Sequence, residues 1–167
     1  GICRWGLMFA EDLVAALSAL RGLLRPGGCF AAIVWGPPEQ AEVQTLTNTV
    51  LMESLGLPPV PTGKGTPFAL SDRDALEQEF ARAGFSNVES QTVSVVYDFK
   101  SAEEYVQYRR ERSSLDKNIA HCPEADRAKA WEAVTVAARK RARPDRSVRF
   151  VSETTVIAGQ NAVQQYF

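Results

Sequence analysis

The chain has little of what usually betrays a function at a glance: one histidine and three cysteines in 167 residues. Cys3, Cys29 and Cys122 lie far apart, with no Cys-x-x-Cys pair and no Cys/His metal spacing. Neither a disulfide framework nor a metal module is encoded, and reduced thiols in a reducing compartment are expected. No stretch approaches the roughly 20 apolar residues of a membrane helix, and nothing reads as a signal peptide. No Asn-x-Ser/Thr site occurs either, so a cytoplasmic location without a membrane span is expected. An excess of one charge is also missing: 19 Lys and Arg against 20 Asp and Glu leave −1. That excludes a global basic field for nucleic acid or an anionic membrane. Repeats and low-complexity tracts are absent. The chain opens on Gly1-Ile2-Cys3-Arg4-Trp5 rather than Met, which reads as the inside of a strand and raises the expectation of a longer domain.

What is present is an alternation of helix and strand signals. Apolar residues make up 45% of the chain and charged residues 23%, enough to form a packed core. Leu13, Leu17, Leu20 and Leu24 mark one face of a helix over 11–24. Arg25-Pro26-Gly27-Gly28 stops it, and 29–35 is an apolar run of the kind found in a strand covered on both faces. Strand, helix, glycine turn and strand make a βαβ unit. Gly36-Pro37-Pro38 breaks the strand, and a helix follows over 40–55. A loop spans 58–65. Ser71, with Asp74 three residues on, is expected to open the next helix, which Gly84 ends. Residues 88–99 form a strand, and Ser101-Ala102-Glu103-Glu104 is a capping box opening a helix with Tyr105 and Tyr108. Residues 124–142 read as a further helix and 148–158 as a closing strand, with a frayed tail from 160 to 167. Two late strands suggest an antiparallel edge on the sheet.

Cys3-Arg4-Trp5-Gly6-Leu7-Met8-Phe9, a helix, Leu24-Arg25-Pro26-Gly27-Gly28 and an apolar strand together resemble the fourth and fifth strand region of class I S-adenosylmethionine-dependent methyltransferases. The likeness is to the branch of ubiquinone and menaquinone C-methyltransferases. Phe68-Ala69-Leu70-Ser71-Asp72, Ala83-Gly84-Phe85 and Ser101-Ala102-Glu103-Glu104-Tyr105 extend it to about residue 110. The resemblance implies an α/β, Rossmann-like methyltransferase fold, of which this chain is the C-terminal half of a mostly parallel sheet with an antiparallel edge strand. It implies a partial methyltransferase domain over 1–159, with helical substrate-cap elements at about 37–70 and 101–147. The family's glycine-rich loop and ribose-binding acid find no counterpart here. This chain alone is therefore expected to bind S-adenosyl-L-methionine poorly and to be inactive without an N-terminal half.

Ligands of open α/β sheets sit beyond the carboxyl ends of the strands. By resemblance, Arg4, Trp5, Gly6 and Leu7 line the methionine end of the cofactor. Trp35, Gly36 and Pro37, at the next strand tip, are candidates for the small-molecule methyl acceptor's pocket. The bland readings are a packing turn and simple strand termination. His121 could serve as a general base, against an exposed turn residue with no partner in view. Tyr97, Tyr105 and Tyr108 could shape a lid, against plain core packing. Arg139-Lys140-Arg141-Ala142-Arg143 could attract an anionic substrate or RNA, against cations at a helix C-terminus. No catalytic residue is singled out, because methyl transfer from a sulfonium asks mainly for alignment and exclusion of water. Two other readings stand: a noncatalytic interaction domain derived from a methyltransferase, and a nucleotide-binding oxidoreductase, although the latter's Gly-x-Gly-x-x-Gly is absent.

Overall fold

A computed structural model describes residues 1–162 of the chain. The first strand, β1 (Ile2–Arg4), pairs in parallel with β2 (Cys29–Trp35), Ile2 facing Ala31 and Arg4 facing Ile33. Helix α1 (Leu13–Gly22) connects them. Its start is fixed by Asp12, whose carboxylate accepts from the Ala15 amide at 2.9 Å, a side-chain N-cap. It ends two residues before Leu24, because the Leu23 and Leu24 amides turn back to the Leu20 and Arg21 carbonyls. The later strands are β3 (Phe85–Phe99) and β4 (Val148–Asn161). The sheet order is β1-β2-β4-β3, with β4 antiparallel to β2 from Cys29–Gln160 to Trp35–Thr154. The fold is α/β with a mixed sheet, as expected.

The chain divides into two compact units. One comprises Gly1–Gln40, Thr62–Val95 and residues 153–162. Its core is an aromatic cluster of Phe30, Phe80 and Phe85, ring centres 5.3–6.1 Å apart, surrounded by buried Leu17, Val34, Leu76 and Ile157. Helix α3 (Arg73–Arg82) brings Leu76 and Phe80 into this core. Gly159 is demanded by that packing: a Cβ there would meet Phe85 Cβ at 2.9 Å and Phe80 Cδ1 at 3.2 Å. The helix start differs from expectation. Asp72, not Ser71, is the N-cap, its carboxylate accepting from the Ala75 amide at 3.0 Å. The closing strand also runs past the expected boundary. Gln160 pairs with Cys29, and Asn161 exchanges backbone hydrogen bonds with Gly27 and Gly28, both 2.8 Å. Of the expected tail, residues 163–167 lie outside the described residues.

The other unit comprises Ala41–Pro61 and Val96–Ser152. It holds α2 (Glu42–Ser54), α4 (Ala102–Arg112), the single turn α5 (Leu115–Asn118) and α6 (Glu124–Arg139). Helix α6 packs on both α2 and α4. Phe99, Tyr105 and Phe150 interlock at 4.4–6.1 Å over buried Val43, Leu51, Val134 and Ala138. The capping box is present in part. Ser101 Oγ accepts from the Glu104 amide at 3.2 Å, while the Glu104 carboxylate takes the Lys100 amide. No helix among the described residues is long and apolar enough to cross a membrane.

Candidate functional site

Because β1 and β2 are parallel and in register, their carboxyl ends emerge side by side. Arg4 is the last residue of β1 and Trp35 the last of β2. The Trp5 amide continues the ladder by donating to the Ile33 carbonyl at 3.2 Å. The chain then leaves the sheet abruptly. Trp5 adopts φ 57°, the left-handed region that a bulky L residue enters only when its surroundings hold it there. What holds it is Trp35: the two indoles stack with centroids 4.3 Å apart and planes 17° from parallel. Trp35 is buried and Trp5 half-buried. The two groups of sequence-predicted site residues are thus brought together.

The remaining candidates divide by role. Arg4 and Gly6 are exposed, and Gly6 opens a short 3₁₀ turn (Leu7–Phe9) whose Leu7 and Met8 are buried. Leu7 and Met8 also face a groove of about 240 Å³, shared with Lys64, Leu70, Asp72 and Leu76. Gly36 is buried, its amide donating to the Glu153 carbonyl at 3.0 Å, and a Cβ there would lie 3.0 Å from that oxygen. Its glycine character therefore answers to a backbone approach. Pro37 is exposed, and its carbonyl accepts from the Gln40 amide at 2.9 Å.

His121 is exposed in the turn preceding α6, and no acid or hydroxyl hydrogen-bonds to it among the described residues. The tyrosines pack: Tyr105 is fully buried, donates to the Val43 carbonyl at 3.0 Å and meets the Thr47 hydroxyl at 2.6 Å. Burial pushes its phenol above the ordinary value, which removes it as a base. Tyr108 lies 5.3 Å from Phe99 and 6.3 Å from Tyr97. The basic run is met by acids. Arg139 contacts Glu103 at 2.7 Å and Glu132 at 3.3 Å, Arg141 pairs with Glu42, and Arg143 with Asp98 at 3.7 Å. Cys3, Cys29 and Cys122 are free thiols, and no group of three metal-ligating side chains occurs among the described residues. One residue the motifs pass over is Arg109, a buried cation on α4. The spacing of Ala102, Tyr105 and Arg109 on one helical face is the signal that could have found it.

No family model matches the chain, and no curated protein matches it. Solved structures do. A putative methyltransferase from Bacillus halodurans superposes with a TM-score of 0.48 at 17% identity, over 97% of this chain and 63% of that one. The YcgJ protein of Bacillus subtilis gives 0.48 at 12% identity, over 96% and 62%. Phosphoethanolamine N-methyltransferase 2 of Haemonchus contortus, solved with phosphomonomethylethanolamine and S-adenosylhomocysteine, gives 0.42 at 14%, over 96% and 33%. The chain spans less than two thirds of the length of each. With scores of this size, the functional reading rests on the chain's own residues.

Proposed function

We propose that the whole protein transfers a methyl group from S-adenosyl-L-methionine to a small-molecule acceptor. In this reading the Arg4–Leu7 turn walls the methionine end of the cofactor, and Trp35 and Pro37 border the acceptor. The finer assignment, to the ubiquinone and menaquinone C-methyltransferase branch, rests on the sequence motifs alone. The helices at 37–70 and 101–147 are proposed to supply acceptor specificity, since inserted helices and loops carry function while the sheet carries the scaffold.

The observation that supports this most is the stacked Trp5–Trp35 pair at the carboxyl tips of two adjacent parallel strands. Ligands of open α/β sheets collect at that end. The residues present fit one side of a cofactor site. A half-buried aromatic face and an exposed glycine turn let a ligand approach the backbone closely. When bound, the cofactor supplies an electrophilic methyl carbon. The turn's part is to orient it and to keep water away.

The test is made in the full-length protein. Cofactor binding followed by indole fluorescence is expected to quench Trp5 and Trp35. Trp5→Ala is expected to weaken binding about tenfold or more, equivalent to about 1.4 kcal/mol. Arg149→Ala, on a strand of the other unit, leaves it unchanged. Full binding by Trp5→Ala would remove the turn from the site. No binding by the full-length protein at all would favour the noncatalytic interaction domain.

A further inference from the structure

The charges of the helical unit are unevenly treated. Several of its exposed arginines find acids: Arg139 with Glu103, Arg110 with Asp116, and Arg149 with Asp98 in a two-pronged pair at 2.6 and 2.8 Å. Arg109 does not. It is 2% exposed, the only charged side chain among the buried described residues. Its Nη2 donates to Asn48 Oδ1 at 3.3 Å, a neutral acceptor, and its Nε, fully buried, has no hydrogen-bond partner. Burial works against its charge, and no carboxylate among the described residues pairs with it.

An arginine does not escape burial by losing its proton. Burying one without a counter-charge costs several kcal/mol, so such a group calls for an anion. Its Nε–H is one prong of the side-on fork through which guanidinium takes a planar or tetrahedral oxyanion in two parallel bonds. Asn48, from α2, holds the guanidinium from one side. This setting is low in dielectric, and there an ionic hydrogen bond is strong. We propose that Arg109 is the anchor of an oxyanion site in the helical unit, which takes the carboxylate or phosphate group of a small molecule. This site does not depend on the methyl-transfer reading.

The probes are inorganic phosphate and acetate, each added to the protein at constant ionic strength against chloride. The Arg109 Nε–H resonance is expected to shift saturably with one of them, and the unfolding temperature to rise along the same curve. The probe with the lower half-saturation concentration identifies the group as phosphate or carboxylate. Arg109→Met, which keeps the length and removes the charge, is expected to abolish the response. In chloride it is expected to melt at or above the wild-type temperature, because an uncompensated buried charge has been removed. An adventitious or surface effect would leave the response of Arg109→Met equal to wild type, and that result overturns the proposal. If Arg109→Met does not fold, the wild-type resonance decides: a signal that neither probe moves overturns it equally.

Discussion

Replacing Trp5 separates the backbone geometry of the strand tip from its side-chain packing. An L residue in the left-handed region carries about 1–2 kcal/mol of strain that glycine does not. Against that stand two gains. The stack on Trp35 contributes about 1 kcal/mol beyond area. Half-burial of an indole removes about 100 Å² from water, or about 2–2.5 kcal/mol at roughly 20–25 cal/mol per Å². Trp5→Ala loses both gains and keeps the strain, so it is expected to lower stability by about 3 kcal/mol. Trp5→Gly loses the same contacts but releases the strain. It also makes the unfolded chain more flexible, so the net recovery over alanine is about 1 kcal/mol. Urea unfolding of the three proteins measures these differences. Circular dichroism measures the stack directly, since two indoles 4.3 Å apart couple and give a split band that both variants must lose. Equal stabilities of the alanine and glycine variants would refute the left-handed turn. A split band surviving in either would refute the pairing of these two rings.

Other expectations follow from single contacts. Asp72→Ala is expected to lower stability by about 1 kcal/mol while Ser71→Ala changes it little, because only Asp72 caps α3; thermal melts of the pair decide. Gly159→Ala forces a methyl against Phe85 and Phe80 and is expected to cost about 1–3 kcal/mol, read from the urea midpoint. Glu103 is held down at about 2 by hydrogen bonds from Ser101 and Arg139. Because its folded value lies below the unfolded one, its contribution is present above the ordinary carboxylate range and is lost as pH falls toward 2. Glu103→Gln is expected to flatten that acid limb, and a side-chain carboxyl titration midpoint near 4.5 would contradict the cause.

Regular elements were legible where periodicity was strong and partners were local. The leucines at 13, 17 and 20 announce α1, and the run from Cys29 to Trp35 announces β2. The boundaries were lost where a distant residue sets them. α2 follows Ala41, an N-cap that has no side-chain oxygen to offer; instead Ser152 Oγ, brought close by the bridge between Ala41 and Ser152, accepts the Val43 amide at 3.3 Å. β3 starts at Phe85, three residues early, because Gly84 at φ 86° turns straight into the strand and leaves Phe85 for the core. Arg21, on a helix face read only for its leucines, donates to the Ala83 carbonyl at 3.0 Å and to Asn161 Oδ1 at 3.3 Å. No local pattern encodes partners 62 and 140 residues away. At the strand tips the sequence supplied the residues, but the stack and the left-handed turn needed coordinates. The close approach of the Glu153 backbone to Gly36 likewise needed coordinates.

The distribution of charge in the helical unit also decides how its basic segment is read. A polyanion-binding patch needs cations whose fields add over open surface. Here Arg139, Arg141 and Arg143 each face a carboxylate, and Arg149 shares Asp98 with Arg143. Exposed pairs of this kind contribute about 1 kcal/mol or less apiece. Their consequence is a field largely offset within a few ångströms, before the screening length of about 8 Å comes into play. The surface run that looks most basic in the sequence is therefore mostly engaged by acids. The buried Arg109, which composition hides, keeps its charge uncompensated in the medium where charge acts most strongly.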